Sequence, residues 1–308
     1  MRPDISVLLL SWNTRELTLE CLDSLPDAVD GELRCQVVVV DNGSRDGSAE
    51  ALAQREGIEL VANPENRGYA AAVNQAYERA DGEFVLLLNS DVRFVPGSLS
   101  VLHSFLSEQD DVAGVGPLYL NPDGTPQGHH FRFPSFAATL GSASSALRRL
   151  PWFGRRVRSY LMLDDDFTVP RAIDQPSASC LLLRRSCLPA PDLMDERYPI
   201  YFNDVMLART LAGSGHALWM TPDAVVYHEL GASTRLLGGA HTRQYLGSVA
   251  LYLAATQPRH RLALYRALVF LQGLVLALLR KPQALPAGEL WLALRGDPGP
   301  LPQAQARN

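Results

Sequence analysis

Apolar and polar positions follow one another in repeating blocks along the first third of the chain. The run Ile5 to Leu10 is continuous and β-prone and stops at Ser11-Trp12-Asn13. Leu17, Leu19, Leu22 and Leu25 then supply the apolar face of a helix, which Asn13 and Glu16 have the spacing to cap. The same succession recurs. Gln36 to Val40 leads through the turn-rich Asp41 to Ser48 into a helical stretch ending near Glu56, and Ile58 to Val61 leads through Asn63 to Gly68 into the Ala-rich segment Tyr69 to Ala80. Phe84 to Leu88 passes through Asn89-Ser90-Asp91 into a helix near Gly97 to Glu108, followed by a strand around Val112 to Gly116. Strands alternating with helices of roughly 10 to 15 residues predict right-handed crossovers and a mostly parallel sheet. Residues 1–117 therefore read as a Rossmann-like half of an α/β domain.

The pattern weakens between Leu118 and Asp174, where Asn121-Pro122-Asp123-Gly124 marks a turn and Arg148, Arg149, Arg155, Arg156 and Arg158 form a basic cluster. This stretch reads as a long excursion, and its arginines as either a solvated face or a contact with phosphate or a lipid headgroup. Regular spacing returns with a strand at Ser179 to Leu183 and a helix from near Asp204 to Ala212. Two short strands follow, His216 to Met220 and Ala224 to His228, split by Thr221-Pro222-Asp223. Arg261 to Arg280 is apolar nearly all round, yet Arg266 and Gln272 interrupt the roughly 20 apolar residues that a membrane span needs. It reads as a helix lying on a membrane surface or packed on the domain or a partner chain. The boundaries that result are a domain over 1–236 with halves 1–117 and 118–236, a helical extension over 237–296, and a disordered Pro- and Gln-rich tail over 297–308.

The 308 residues, 47% apolar and 20% charged, are enough for a substantial core. A net charge of −5 argues against nucleic acid as partner. Cys21, Cys35, Cys180 and Cys187 form no CxxC pair, which points to reduced thiols and a reducing compartment. The N-terminal apolar run Val7 to Leu10 is shorter than the roughly 7 to 15 residues of a signal-peptide core, so a cytoplasmic location is expected.

Asp41 and Asp91 each end an apolar run, at the edge where open α/β sheets bind ligands. No GxxxxGK[ST] loop exists, and Gly114-Val115-Gly116 runs into Pro117 instead of opening a helix. A nucleotide is then expected to be held by side chains and a metal. Asp41 has the position to accept a hydrogen bond from a base N–H or a ribose hydroxyl, or else to cap its own turn. One carboxylate such as Asp91 can anchor Mg²⁺ or Mn²⁺ on a diphosphate, or can cap the next helix. His228, at the end of an apolar strand, is a structural residue or an imidazole ligand.

Ser11-Trp12-Asn13, Asp41 to Ser48, Asn66-Arg67-Gly68 with Asn74, and Leu87 to Asp91 resemble the successive blocks of glycosyltransferase family 2. The likeness continues through Gly116-Pro117 with Asn121 to Gly124, Ser179 to Arg185, Asp195 to Tyr198, Tyr201 to Asp204 and His228 to Thr234, and is similar to the rhamnosyltransferase-like branch. The resemblance implies a GT-A fold, a dTDP- or UDP-linked sugar donor, Mg²⁺ or Mn²⁺, and inversion at the anomeric carbon. It implies base binding by Asp41, nucleoside contacts by Asn66 and Arg67, further donor contacts by Ser11, Trp12, Asn13, Asn89 and Ser90, and metal binding by Asp91 and His228. The catalytic base falls on Asp204, with Asn203 where the family usually has Glu and Met206 where a second Asp often follows.

The expected activity is transfer of a sugar, rhamnose among the candidates, to a glycan or lipid-linked acceptor at the inner face of the cell membrane. Residues 261–280 would touch that membrane, or would pack on protein, a homodimer included. A nucleotide-sugar-binding protein without turnover is the alternative. A nucleotidyltransferase is disfavoured because no Gly-rich, Lys-bearing loop follows the first strand.

Overall fold

The computed structural model describes residues 2–31, 33–231, 240–281 and 284–303, the side chains of 145 and 146 excepted. Strands β1 (Ile5–Ser11), β2 (Cys35–Asp41), β3 (Glu59–Ala62) and β4 (Phe84–Asn89) are parallel in the order β3-β2-β1-β4. Helices α1 (Arg15–Ala28), α2 (Ser48–Ala53) and α3 (Tyr69–Tyr77) are the crossovers. Then come β5 (Val92–Phe94), α4 (Ser98–Ser107), β6 (Val112–Leu120), β7 (His130–Phe131), α5 (Phe136–Ala143), α6 (Ser145–Arg148), α7 (Pro151–Tyr160), β8 (Arg171–Ile173) and β9 (Gln175–Pro176). The chain closes with β10 (Cys180–Arg184), α8 (Asn203–Gly213), β11 (Ala217–His228), α9 (Ala240–Thr256), α10 (Arg259–Leu278) and α11 (Ala287–Leu294).

The main sheet extends through β4-β10-β6-β11-β5, with β10 antiparallel to both of its neighbours and β8 pairing with β11. Period-two alternation explains why the parallel strands read as unbroken apolar runs. Val7 and Leu9 pack with α1 and α4, while Leu8 and Leu10 pack with α3 and α8 on the other face. A third cluster joins Phe202 and Val205 of the α8 region to Tyr252, Tyr265 and Leu290 of the C-terminal helices.

Four local expectations are corrected. Asn13 does not cap α1: its φ is 53°, its N–H donates to Ser44 Oγ at 2.8 Å, and its Oδ1 accepts from Arg45 N at 2.8 Å. Its side chain is committed to the neighbouring strand-end loop, so α1 starts behind Thr14 without a side-chain cap. The two strands expected around Pro222 are one 12-residue strand, β11, in which a register shift between Thr221 and Val225 takes up the proline that cannot donate to the ladder. The excursion over 118–174 carries the helices α5, α6 and α7.

The tail beyond Gly296, expected to be disordered, lies on the domain as far as Gln303. Asn66 N–H donates to Gln303 Oε1 at 2.8 Å, and Asn66 Nδ2 donates to Pro302 O at 3.0 Å. Ser233 and Thr234, the end of the His228 block, lie outside the described residues, as do 304–308.

Candidate active site

Parallel register brings the carboxyl ends of the strands to one line. Ser11 pairs with Asp41, Asp41 with Ala62, and Leu10 with Asn89. The edge opens into a cavity of about 400 Å³ lined by Trp12, Asn66, Asn89, Asp91, Asp204 and His228, with Ser11 and Ser90 also on its wall. Asn13, Asp41 and Arg67 do not line it.

Pairing of β5 with β11 sets Val92 opposite His228, and Glu229 N–H donates to Asp91 O at 2.9 Å. His228 Nε2 thereby comes 3.4 Å from Asp91 Oδ1, both side chains buried. The tautomer of His228 follows from Gln127, whose Nε2 donates to Asn121 Oδ1 at 2.8 Å and to His228 O at 3.1 Å. Gln127 Oε1 is therefore an acceptor, and His228 Nδ1–H donates to it at 2.7 Å. In the neutral ring this tautomer leaves the Nε2 lone pair facing the carboxylate, the state a metal ligand needs. The pair fits a divalent cation. Among the described residues no group of three His, Cys, Asp or Glu side chains is arranged to hold an ion, so further ligands would come from a diphosphate and water.

Three buried polar atoms at this edge have no partner: Trp12 Nε1, Asp41 Oδ2 and Asn89 Oδ1. Buried groups of this kind are normally bonded, and of the three Trp12 and Asn89 line the cavity. Asp41 is 1% exposed, its Oδ1 accepts from Ser44 N at 3.0 Å, and burial raises its pKa. The hydroxyls of Ser11 and Ser90 are tied instead into a buried chain through Thr18 and Thr14.

The loops after β2 and β3 close on one another at Gly43, and Gly68 lets the second of them approach the segment before α8. Gly43 (φ 77°) and Gly68 (φ 86°) leave no room for a Cβ, which would lie 2.7 Å from the backbone of Glu65 and 2.9 Å from Pro199 O, respectively. Asn42, read from sequence only as a turn residue, joins them: its Oδ1 accepts from Asn63 Nδ2 and Arg67 N, and its Nδ2 donates to Asn66 Oδ1.

Asp204 stands on the first turn of α8, entered through Phe202 in the left-handed region (φ 67°). Oδ1 accepts from Val205 N at 2.8 Å and Oδ2 from Gln175 Nε2 at 3.2 Å, while burial raises the pKa of the carboxyl. Asn203 beside it is buried and clamps the preceding loop. Its Nδ2 donates to Tyr198 O at 3.2 Å and Ile200 O at 3.0 Å, and its Oδ1 accepts from Asp204 N at 2.7 Å. A carboxylate here could not donate to those carbonyls.

Sequence reasoning missed His129. Its ring lies 4.6 Å from that of His228 and its Nε2 is 3.3 Å from Ser179 Oγ. Burial, together with His228 and His130, pushes its pKa well below the usual value, so the ring is neutral. Gln175 was also missed; isolated His and Gln residues in a weakly periodic stretch carry no sequence signal.

A mostly parallel sheet with amides and carboxylates gathered at its strand ends, and a helix whose first turn carries a half-buried Asp at the rim, is the architecture of GT-A glycosyltransferases. This chain belongs to glycosyl transferase family 2, whose pattern matches residues 6–178. It is 31% identical over 235 residues, 71% of its own length and 74% of the relative's, to N-acetylglucosaminyl-diphospho-decaprenol L-rhamnosyltransferase of Mycobacterium tuberculosis. In fold it is similar to a mannosyltransferase of Pyrobaculum calidifontis solved with GDP-Man and Mn²⁺, with a TM-score of 0.56 at 18% identity, covering 94% of this chain and 79% of the other. A structure of GalNAc-T7 with UDP, GalNAc and Mn²⁺ gives a TM-score of 0.57 at 16% identity, covering 95% and 54%. The chain is a glycosyltransferase of the rhamnosyltransferase-like branch.

Proposed function

We propose that this enzyme moves a sugar, rhamnose foremost, from a dTDP- or UDP-linked donor to a hydroxyl of a lipid-linked glycan acceptor, by one inverting displacement at the inner face of the membrane. The observation that carries the reading is Asp204, a half-buried carboxylate on the wall of the cavity that also holds Asp91 and His228. The mycobacterial relative, named for an N-acetylglucosaminyl-diphospho-decaprenol substrate, supports the acceptor class.

Asp41 Oδ2 accepts the N–H of the base, and Asn66 and Arg67 flank the nucleoside. Asp91 and His228 would hold Mg²⁺ or Mn²⁺, which would supply positive charge against the diphosphate. Asp204 takes the proton of the acceptor hydroxyl as that oxygen attacks the anomeric carbon from the face opposite the diphosphate. Its raised pKa suits proton acceptance near neutral pH. Ser11, Trp12, Asn13, Asn89 and Ser90 shape or support the donor side.

The alternative of a donor-binding protein without turnover draws on Asn203, Met206 and the single acid in Asn89-Ser90-Asp91. The clamp that Asn203 makes gives the amide a reason of its own and answers the first of these. The test is the anomeric configuration of the product, read by NMR against that of the donor. Inversion is expected; retention contradicts the single displacement.

A further inference from the structure

Helix α10 is apolar on two opposite sides, and protein covers one of them. Leu262, Tyr265 and Val269 are buried against the C-terminal core, while Leu264, Leu268, Leu271, Val275 and Leu278 recur at helical spacing on the other side and are exposed. Leu271 is 60% and Leu278 84% exposed. An amphipathic surface helix would carry polar residues there, and an uncovered apolar stripe of this length marks a docking face.

Charge identifies what docks. In a chain of net charge −5, residues 124–163 hold six arginines and residues 258–288 hold four arginines and a lysine, with no Asp or Glu in either stretch. The two stretches meet in space: Gln272 Nε2 on α10 donates to Ala143 O, at the end of α5, at 2.8 Å. Arg148 and Arg149 follow within six residues, a reach of roughly 20 Å at most. Beyond them α7 exposes Trp152, at 50%, with the Arg156 guanidinium 5.7 Å from its ring. Arg132 and Arg158 pair with Asp165 and Asp164, while Arg148, Arg149, Arg155 and Arg156 have no acid partner among the described residues. Apolar side chains with an exposed Trp, ringed by these free arginines, match an anionic bilayer surface.

We propose that α7 and α10 together form the surface on which this transferase sits on an anionic lipid bilayer, a reading that extends the lipid-linked acceptor above. A second copy of the chain fits less well, because two-fold pairing would set these arginines against their own copies. A membrane span fits poorly too. Arg266 Nε donates to Leu294 O at 2.7 Å and Gln272 is held by α5, so the middle of α10 is fastened to the body of the protein. The same core that holds α10 underlies Phe202, two residues before Asp204.

The test is flotation of the full chain with vesicles of phosphatidylcholine alone or with one third phosphatidylglycerol, which reads binding independently of turnover. Binding is expected on the anionic vesicles only, and both high salt and a carbonate wash should release it. Leu271→Ser with Leu278→Ser, and separately Arg149→Glu with Arg155→Glu, should each lower the bound fraction at least tenfold while circular dichroism stays unchanged. Equal flotation of wild type and both variants overturns the proposal. So does carbonate-resistant binding, which means a span, or a dimer in light scattering that the leucine pair dissolves without any vesicle binding. Vesicle binding with no sugar transfer would leave this surface standing and sink only the activity proposed above.

Discussion

His228 Nε2 and Asp91 Oδ1 face each other across 3.4 Å, brought together from 137 residues apart by the pairing of β5 with β11. Neither residue can be moved without moving the sheet edge. Gln127 completes the arrangement by holding Nδ1 and leaving Nε2 bare.

Gln127→Leu should therefore weaken divalent-cation binding without touching a ligand. Loss of an outer partner of this kind lowers metal affinity by about 10- to 100-fold. Mn²⁺ binding in the presence of nucleoside diphosphate, followed by electron paramagnetic resonance, checks this, with His228→Ala as the larger loss. An unaltered affinity in Gln127→Leu would remove the tautomer argument.

Burial raises the pKa of Asp204, which has two consequences of opposite kind. A base must be ionised, so kcat/KM should fall as pH drops through a value above the ordinary aspartate range of about 3.9. For stability, a carboxyl with a raised folded-state pKa favours folding when protonated, and that contribution is lost as pH rises through the raised value. Asp204→Asn, which lacks the charge, should melt above the wild type at pH 7, and the gap should close as pH is lowered past the unfolded-state value. Thermal scans across that range read the sign directly.

Asn203→Asp keeps the size of the side chain and removes its two donors. Tyr198 O and Ile200 O would be left without their amide partner, at a cost of about 1 to 3 kcal/mol. A second carboxylate beside Asp204 adds repulsion. The melting temperature should drop by several degrees in calorimetry, and restoring the family's usual Glu should not recover it.

The tail engages the polar atoms that Asn66 would offer a nucleoside. Pro302 O and Gln303 Oε1 accept from Asn66 Nδ2 and N, and Gln303 Nε2 donates to Asn66 O at 3.3 Å. A chain ended at Pro300 should bind donor more tightly, with a lower KM and unchanged kcat in steady-state assays. An unchanged KM would mean that tail and nucleoside do not compete.

The strand-end polar residues were legible in the sequence because a buried parallel strand is an unbroken apolar run, and whatever follows it must lie at the sheet edge. Asp91, Asn89 and Asp204 were found that way or by family likeness. What stayed hidden was long-range: nothing local shows that Gln127 meets His228, that Gln175 meets Asp204, or that the ring of His129 lies against that of His228. Asn203 was legible as a departure from the family but not as a clamp, since its partners are backbone carbonyls. The tail read as disordered from composition, which does not register the few hydrogen bonds that hold it to Asn66.

The proposed sugar transfer depends most directly on Asp204 as the group that accepts the acceptor's proton. Release of nucleoside diphosphate from a panel of nucleotide-sugars, with Mg²⁺ or Mn²⁺ and a lipid-linked acceptor, should be metal-dependent in the wild type. In Asp204→Asn it should fall by about 10²- to 10⁴-fold, the range for loss of a general base. An undiminished rate in that variant, or no release by the wild type from any donor in the panel, would contradict it.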